Sequence, residues 1–494
     1  MSALLSLLPM ASIDETISDY FGPISDWIVS VVFYSVNING ADVSLIVLWL
    51  IAGAIFFTVW LGLPQVNGLK HAVNLVRGRY SRPEDAGEVS HFQALATAVS
   101  GTVGLGNIAG VAVAISIGGP GATFWMIVAG FFGMAAKMAE CTLGVKYRHE
   151  HADGSVSGGP MYYLRDGVSR VTGSQGLGRF LAAFFAICCI GGSLGGGNMF
   201  QANQATAQIV GVTGGEDSPF AGLNWVIGLA FAVIVAAVII GGIKSIARVT
   251  EKVVPFMAAI YVLACLIIIF VSFDQVPGAF GDIVTGAFSP ESIGGGFLGV
   301  LMVGFQRAAF SNEAGIGSAS IAHSAVKTNE PATEGHVALL EPLIDTIIIC
   351  TMTALAIVIT GAWDDPDASE LGGVGLTSRA FESVLPWFPN VLAVAVILFA
   401  FSTMISWSYY GMKATGYLFG DSATAELVFK VIFCLFVIIG ASLSLEPVIG
   451  FSDAMIFMMS IANVAGLYIL ARVVRNEIRG HKERVRTGEF ARVK

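Results

Sequence analysis

Runs of apolar residues, each about 20 residues long, recur along most of the chain and alternate with short polar connections. A run of that length spans the hydrocarbon core of a bilayer as one α-helix. The pattern therefore predicts an all-α integral membrane protein with about eleven transmembrane helices. The predicted spans are residues 42–63, 90–117, 120–143, 180–211, 222–242, 253–272, 294–321, 338–361, 387–411, 427–445 and 451–473. Residues 1–41 alternate apolar and acidic positions and are predicted to form an N-terminal interfacial or extracellular segment.

Lys and Arg are concentrated in every second connection between the predicted spans. Residues 64–89 and 144–179 are rich in them, and residues 474–494 form a basic tail. The alternate connections contain one basic residue, Arg379, among several acidic ones. Because cytoplasmic loops are enriched in Lys and Arg, we expect a multi-pass protein of the plasma (inner) membrane. Its N-terminus is predicted to lie outside and its C-terminus in the cytoplasm.

Two of the predicted spans, the second and the seventh, are interrupted by glycine and polar residues at mid-membrane depth. The interruptions are Ser100–Asn107 and Phe310–Ser318. Each interrupted span begins a block of five helices, residues 90–272 and 294–473, and five spans reverse the topology. The chain is therefore predicted to contain two inverted five-helix repeats with broken first helices, preceded by an additional transmembrane helix at 42–63. Secondary transporters use this plan, with the binding site at the breaks.

A break in a membrane helix has a chemical consequence. Unwound backbone frees carbonyls for a cation and amides for a carboxylate, and it is tolerated in a membrane only where it lines such a site. The alternative is that the glycines between Ser100 and Asn107 only allow neighbouring helices to pack closely. In the second break, Glu313 follows Asn312, and a charge at this depth costs about 3 kcal/mol. A structural carboxylate, satisfied by nearby backbone amides, is the alternative for that residue.

Other intramembrane polar residues have both functional and structural interpretations. Gln201 and Gln204 lie three residues apart on the fourth span, where amides suit either a zwitterion or bonds between helices. Ser402 and Thr403 are adjacent hydroxyls that suit a hard cation, although such hydroxyls commonly bond to their own helix carbonyls. Trp407 lies one turn beyond Thr403, where it is positioned to close a small pocket.

The remaining ionisable residues are interpreted as structural. Lys137 and Glu140 are three residues apart on one helix and are expected to pair. Asp345 and Asp453 are interpreted as boundary or network residues. The six cysteines show no metal-ligand spacing, and none of the histidines is positioned as a convincing proton relay.

Composition narrows the class of protein further. Charged residues make up only 12% of the chain, against about 25% in soluble domains. The sequence contains no paired acid and base or metal constellation at one depth, so neither an enzyme nor a resident cofactor is expected. Two interrupted spans within one chain favour a carrier over a channel, whose pore would more naturally come from a symmetric oligomer. The lipid bilayer is an expected partner, and nucleic acid is not.

Five sequence runs in one order resemble the alanine or glycine:cation symporter family, also called the sodium:alanine symporters. They extend over the second to the ninth predicted span, which is most of the chain. The same Val-Gly-Leu-Gly-Asn string occurs at the first break of the leucine-transporter type of fold. The runs are Gly104–Gly110, Gly118–Ala122, Gly158–Tyr163, Phe310–Gly315 and Ser402–Trp407.

The resemblance implies roles for individual residues. Sodium, as a co-transported ion, would be held by the carbonyls of Ser100 and Val103 and the hydroxyls of Ser402 and Thr403. The amides around Leu105 and Gly106 would bind the substrate carboxylate, and Gln201 and Trp407 would bound the side-chain pocket. Thr102 and Asn107 correspond to a second sodium position in the wider fold. The implied substrate-binding residues are Thr102, Gly104, Leu105, Gly106, Asn107, Gln201, Phe310, Asn312, Thr403 and Trp407.

The function implied is a sodium-coupled symporter that imports small neutral amino acids, alanine or glycine, by alternating access. A symporter of the same fold with another small substrate, or with proton coupling, is the nearest alternative. A channel or a membrane enzyme is a more distant one.

Overall fold

The computed structural model describes residues 13–38, 40–82, 84–152, 154–289, 296–366, 372–420 and 422–493, with side chains from Phe21 onward. The first twelve residues of the predicted N-terminal segment lie outside the described part. Helices of ten or more residues are numbered α1 to α15. They are α1 (Ile13–Val32), α2 (Leu45–Trp60), α3 (His91–Thr102), α4 (Ala109–Gly118), α5 (Gly121–Lys146), α6 (Gln175–Val212), α7 (Asn224–Ile239), α8 (Gly242–Val271), α9 (Val276–Phe288), α10 (Gly296–Asn312), α11 (Pro331–Ile359), α12 (Gly373–Val384), α13 (Phe388–Phe419), α14 (Ala423–Ser442) and α15 (Leu445–Thr487).

The connections contain short regular elements. Two antiparallel pairs of strands occur among the described residues, Ser35–Ile38 with Ala41–Ser44 and His149–Glu150 with Val156–Ser157. The shorter helical segments are Pro64–Asn67, Leu69–Val76, Leu105–Asn107, Pro160–Tyr162, Tyr163–Val168, Ser169–Thr172, Gly215–Asp217, Phe273–Gln275, Ala319–His323 and Ala362–Asp364. The expectation of a helical protein is therefore confirmed, with only these small sheets added.

Every predicted span overlaps with a described helix or helix pair. Seven described helices are long and apolar enough to cross a membrane, or eight if the bent pair α3–α4 counts as one span. The helices α2 and α7 are apolar and have 16 residues each, shorter than the usual spanning length. The count of about eleven spans and the inverted relation of the two blocks stay predictions.

The first predicted interruption is a bend in the chain. Ser90 starts α3 with a capping box, in which its hydroxyl accepts the Gln93 amide and the Gln93 side chain accepts the Ser90 amide. Helix α3 ends at Thr102, and helical structure resumes after a short turn, where the helix axis changes direction by 51°. The break predicted from the glycines is confirmed as a feature of the backbone.

The second predicted interruption follows α10, which ends at Asn312. Glu313 adopts φ +56°, a left-handed conformation that is uncommon for a residue with a side chain. Gly317 has φ +97°, and a Cβ there would lie 2.9 Å from Asn463 and from Pro160, so only glycine fits. Helix resumes at Ala319, and this break is confirmed as well.

The long helices surround the two breaks. Helix α15 packs against α1, α2 and α6, and α13 packs against α6 and α8. Helix α3, which leads into the first break, packs against α13. The helices on either side of the second break, α10 and Ala319–His323, pack against α5. The polar residues of both breaks are consequently enclosed by protein.

Candidate functional site

The two breaks lie directly against each other. A Cβ placed on Gly106 would be 3.4 Å from the Ser311 Cα and 3.5 Å from the Phe310 ring. Gly106 lies more than 200 positions before the other two residues in sequence, and all three are buried. Unwound backbone from both helices therefore meets in one place inside the protein.

A cluster of oxygens joins the end of α3 to α13. The Thr403 hydroxyl donates to the Ser100 carbonyl at 2.9 Å, and the Ser100 hydroxyl donates to the Ser402 carbonyl at 2.7 Å. The Ser402 hydroxyl donates to the Phe399 carbonyl of its own helix, which is the structural alternative predicted from the sequence for this hydroxyl. Three of the four predicted sodium-binding residues are thus brought into contact.

The fourth of these residues, Val103, contributes a free backbone group. Its carbonyl accepts no hydrogen bond from any residue that the structure describes. Its neighbour Gly104 approaches α13 so closely that a Cβ there would lie 2.4 Å from the Thr403 hydroxyl oxygen. The residue next to this unpaired carbonyl therefore contacts a hydroxyl of α13, and carbonyl and hydroxyl oxygens are ligands that suit a hard cation.

Gln201 covers the other side of the first break. Its Oε1 accepts the Leu105 amide at 3.0 Å, and its Nε2 donates to the Gly196 carbonyl at 2.8 Å. Helix α6 forms a π-helical turn at Gly195–Met199, and its glycines let the helix approach the breaks. Gln201, which is predicted to line the substrate pocket, is thus hydrogen-bonded to the Leu105 amide, and that amide is predicted to bind the substrate carboxylate.

Trp407 connects the two breaks. Its indole N–H donates to the Gly101 carbonyl at 3.2 Å and to the Glu313 carboxylate at 3.0 Å. The ring lies against Gly197, where a Cβ would be 2.2 Å from Trp407 Cγ. Only 1% of the residue is exposed. The predicted pocket residue therefore lies at the junction of α3, α6 and the second break.

Three predicted binding residues use their side chains to hold the protein itself. Thr102 donates to carbonyls of its own helix. The Asn107 side chain accepts the Gly104 amide and donates to the Asp345 carboxylate at 2.7 Å. Asn312 donates to the Thr346 hydroxyl at 2.9 Å and accepts the Ala314 amide. The structure brings these residues to the breaks, with their side-chain hydrogen bonds directed at neighbouring protein groups.

Asp345 is a network residue, as predicted, and it links the two breaks. Its carboxylate accepts hydrogen bonds from Asn107 of the first break, from Ser311 of the second and from Thr346. It lies in a π-helical segment of α11, Leu343–Cys350, and is fully buried. An acidic residue inside an apolar run was the available signal, but sequence alone did not identify its partners.

A chain of buried ionisable side chains leads away from the breaks. The His91 and His323 imidazoles both contact the Glu334 carboxylate, and the other nitrogen of His323 lies 2.7 Å from Glu341. Lys137 pairs with Glu341 at 3.2 Å, so the expected pair with Glu140 is wrong. Glu140 instead accepts from Asn463 on α15. The partners are far apart in sequence, and helix spacing alone does not reveal such contacts.

We expect Lys137→Met to destabilise the protein by about 3–5 kcal/mol, because it removes the lysine cation from the buried Glu341 carboxylate and leaves His323 as its remaining ionisable partner. Thermal unfolding of the purified protein in detergent measures the effect. The double variant Lys137→Met, Glu341→Gln removes both charges and should unfold at a higher temperature than the single variant. A single variant as stable as the wild type would show that the pair is dispensable.

A cavity of about 690 Å³ opens beside the site. Its lining includes Gln204, which lies one helical turn from Gln201, and Arg379 of the predicted extracellular connection. The Gln204 side chain accepts the Val374 amide at 2.8 Å. The cavity therefore extends from the predicted outer face toward the helix that carries Gln201.

The chain is similar to known proteins over most of its length. The model of the sodium:alanine symporter family matches residues 27–494. The sodium/alanine symporter AgcS of Methanococcus maripaludis is 39% identical over 435 residues, which cover 88% of this chain and 93% of that protein. The probable sodium/glutamine symporter GlnT of Bacillus subtilis is 32% identical over 448 residues, which cover 90% of this chain and 89% of that protein.

The fold also has a solved counterpart. The structure of MhsT in complex with L-phenylalanine aligns with a TM-score of 0.51 at 15% identity, over 80% of this chain and 99% of that one. At that identity the likeness concerns the fold alone, and MhsT has the leucine-transporter type of fold. The similar proteins are named as transporters, carriers or symporters, so the expectation of a transporter rather than an enzyme is confirmed.

Proposed function

The chain belongs to the sodium:alanine symporter family, and from this premise we propose that it imports a small neutral amino acid, alanine or glycine, together with sodium by alternating access. The contact between two broken helices, with oxygens clustered beside it, carries the proposal. Backbone groups at such breaks supply both ion and substrate sites in secondary transporters.

Sodium binds at the cluster of Ser100, Val103, Ser402 and Thr403 in this proposal. The unpaired Val103 carbonyl supplies one ligand, and the Ser100 carbonyl becomes available when the Thr403 hydroxyl rotates toward the ion. Because these oxygens belong to α3 and α13, the ion ties the two helices together. That link favours the arrangement in which the substrate site is complete.

The amino acid binds between the two breaks. The start of α4 carries the positive end of a helix dipole, and the end of α10 carries a negative one. We assign the substrate carboxylate to the Leu105 and Gly106 amides, where it replaces the Gln201 oxygen. The ammonium group then faces the carbonyls at the end of α10, near Phe310 and Asn312. The two charges of the zwitterion thereby match the two dipoles.

The membrane potential supplies energy through the ion. One sodium entering through a potential of 100 mV contributes about 2.3 kcal/mol. That free energy concentrates a neutral substrate by roughly fiftyfold, before the sodium concentration gradient is counted. Entry of one sodium with each amino acid therefore supplies enough free energy for uptake against a gradient.

We propose the predicted orientation and architecture along with this function. The N-terminus faces outward, the C-terminus faces the cytoplasm, and about eleven helices form two inverted repeats after one added helix. The distribution of Lys and Arg supports the orientation.

Trp407→Ala is expected to admit larger amino acids, because the buried indole fills space beside Gly197 and both breaks. Competition of labelled alanine uptake by leucine and phenylalanine measures this. The control is Trp387→Ala, since Trp387 is 56% exposed at the start of α13. Unchanged competition in Trp407→Ala would remove this residue from the pocket.

Uptake into proteoliposomes tests the function. Labelled alanine should accumulate when sodium is present outside and should not when potassium replaces it. Competition by glycine, serine and glutamine then identifies the preferred side chain. Accumulation driven by a pH gradient without sodium would favour the proton-coupled alternative. If the protein took up glutamine strongly and alanine not at all, the substrate would be glutamine and not alanine.

A further inference from the structure

Three histidines from separate parts of the chain meet on the predicted cytoplasmic side. His71 lies on the short helix Leu69–Val76, His336 in the first turns of α11, and His481 near the end of α15. One ring nitrogen from each lies within 4.8 Å of the others. The proposed transport mechanism uses none of the three.

Hydrogen bonds fix two of the rings. The His336 Nδ1 lies 2.8 Å from the Ala332 carbonyl, so this nitrogen carries the proton. The His481 Nδ1 lies 3.3 Å from the Glu330 carboxylate, which the Arg484 guanidinium also holds at 2.6 Å. The His336 ring therefore keeps the lone pair of Nε2, and the His481 Nε2 shares a hydrogen bond of 2.9 Å with the His71 Nε2 that a metal ion would replace. Metal-binding histidines commonly show this arrangement, with the far N–H bound to a carboxylate or a carbonyl.

The cluster is enclosed on several sides. His481 is fully buried and His336 is 2% exposed. The stacked rings of Tyr80 and Phe490 lie beside the cluster, 5.0 Å from His71 and 5.1 Å from His481 respectively. Such a surrounding shell limits access of water, which strengthens coordination of an ion.

We propose that His71, His336 and His481 bind a zinc-class divalent metal ion. Imidazole nitrogens suit Zn²⁺, and three histidines with one open position make a known type of zinc site. Zinc–nitrogen distances of about 2.0–2.1 Å place tetrahedral ligands roughly 3.4 Å apart. The Nε2 atoms of His71 and His481 are 2.9 Å apart, so the pair has to separate only slightly to admit the ion.

The ion would join three segments that are distant in sequence. It links the connection after α2, the start of α11 and the basic end of α15, and it stabilises the predicted cytoplasmic face. The alternative is a cluster of imidazoles held by one another and by aromatic contacts alone. The proposal does not rest on sodium-coupled transport, because the transport site lies at the breaks.

The experiment uses full-length protein purified in detergent with a tag free of histidine, treated with a chelator and then titrated with Zn²⁺. We expect about one zinc per chain and a higher unfolding temperature. Co²⁺ in place of Zn²⁺ should give the visible absorption of a tetrahedral site. His71→Ala and His481→Ala should each weaken zinc binding by more than about 100-fold, beyond what loss of an outer partner costs.

Two further variants sharpen the result. Glu330→Gln removes an outer partner and should weaken binding by about 10–100-fold. His151→Ala removes an exposed imidazole outside the cluster and should leave binding unchanged. Absence of zinc binding and of the Co²⁺ spectrum in the wild-type protein would overturn the proposal. Zinc binding that persists undiminished in His71→Ala and His481→Ala would overturn it as well.

Discussion

Gly104→Ala should reduce sodium-dependent alanine uptake by at least about 100-fold, a factor that corresponds to about 2.7 kcal/mol. The new Cβ would lie 2.4 Å from the Thr403 hydroxyl oxygen and 3.0 Å from the Gln201 oxygen. Since Gly104 has an extended backbone conformation that alanine also adopts, the effect comes from the methyl group alone. The methyl group pushes α13 away from Val103 and Gln201 away from Leu105. Both the ion and the substrate positions are therefore disturbed.

Gly110→Ala is the matched control for this prediction. Gly110 lies six residues further along, on α4, and a Cβ there meets no atom within 4 Å. Initial rates of labelled alanine uptake, normalised to reconstituted protein, compare the two variants. If Gly104→Ala took up alanine at the wild-type rate, transport would not require the close approach of the first break to α13.

The double variant Ser402→Ala, Thr403→Ala should raise the sodium concentration for half-maximal uptake by roughly 100-fold, again about 2.7 kcal/mol. Thr403 loses the hydroxyl beside the Ser100 carbonyl, and Ser402 loses a second candidate oxygen ligand. The carbonyls of Ser100 and Val103 remain, so residual activation at high sodium is expected. Alanine uptake measured over a series of sodium concentrations gives the shift.

Ser408→Ala is the control for the double variant. Its hydroxyl donates to the Ile405 carbonyl on the same helix, and the residue is 3% exposed. Sodium activation should stay normal in this control. If sodium activation were normal in the double variant as well, sodium would have to bind elsewhere.

The two breaks were predictable because their signal is local. Glycine and polar residues inside an apolar run weaken a helix wherever the chain leads, and Ser100–Asn107 and Phe310–Ser318 both show that pattern. The contact between Ser100 and Thr403 was anticipated only through the family resemblance. Hydroxyls on α13 alone were equally compatible with bonds to their own helix, and Ser402 makes such a bond.

The long-range partners were beyond sequence reasoning. Lys137 has Glu140 one turn away, yet it pairs with Glu341 because α5 packs against α11. Asp345 joins both breaks from a π-helical segment that no periodicity indicated. Similarly, the three clustered histidines come from connections and tails whose relative positions depend on the whole fold. Such contacts depend on tertiary packing, which a single sequence does not specify residue by residue.

Equilibrium binding of labelled alanine to the purified protein, measured across sodium concentrations, tests the central claim most directly. If the ion binds between the first break and α13 while the amino acid binds between the two breaks, saturating sodium should raise the alanine affinity by at least about tenfold. By linkage, alanine should raise the sodium affinity by the same factor. Equal alanine affinity in sodium and in potassium would contradict the account.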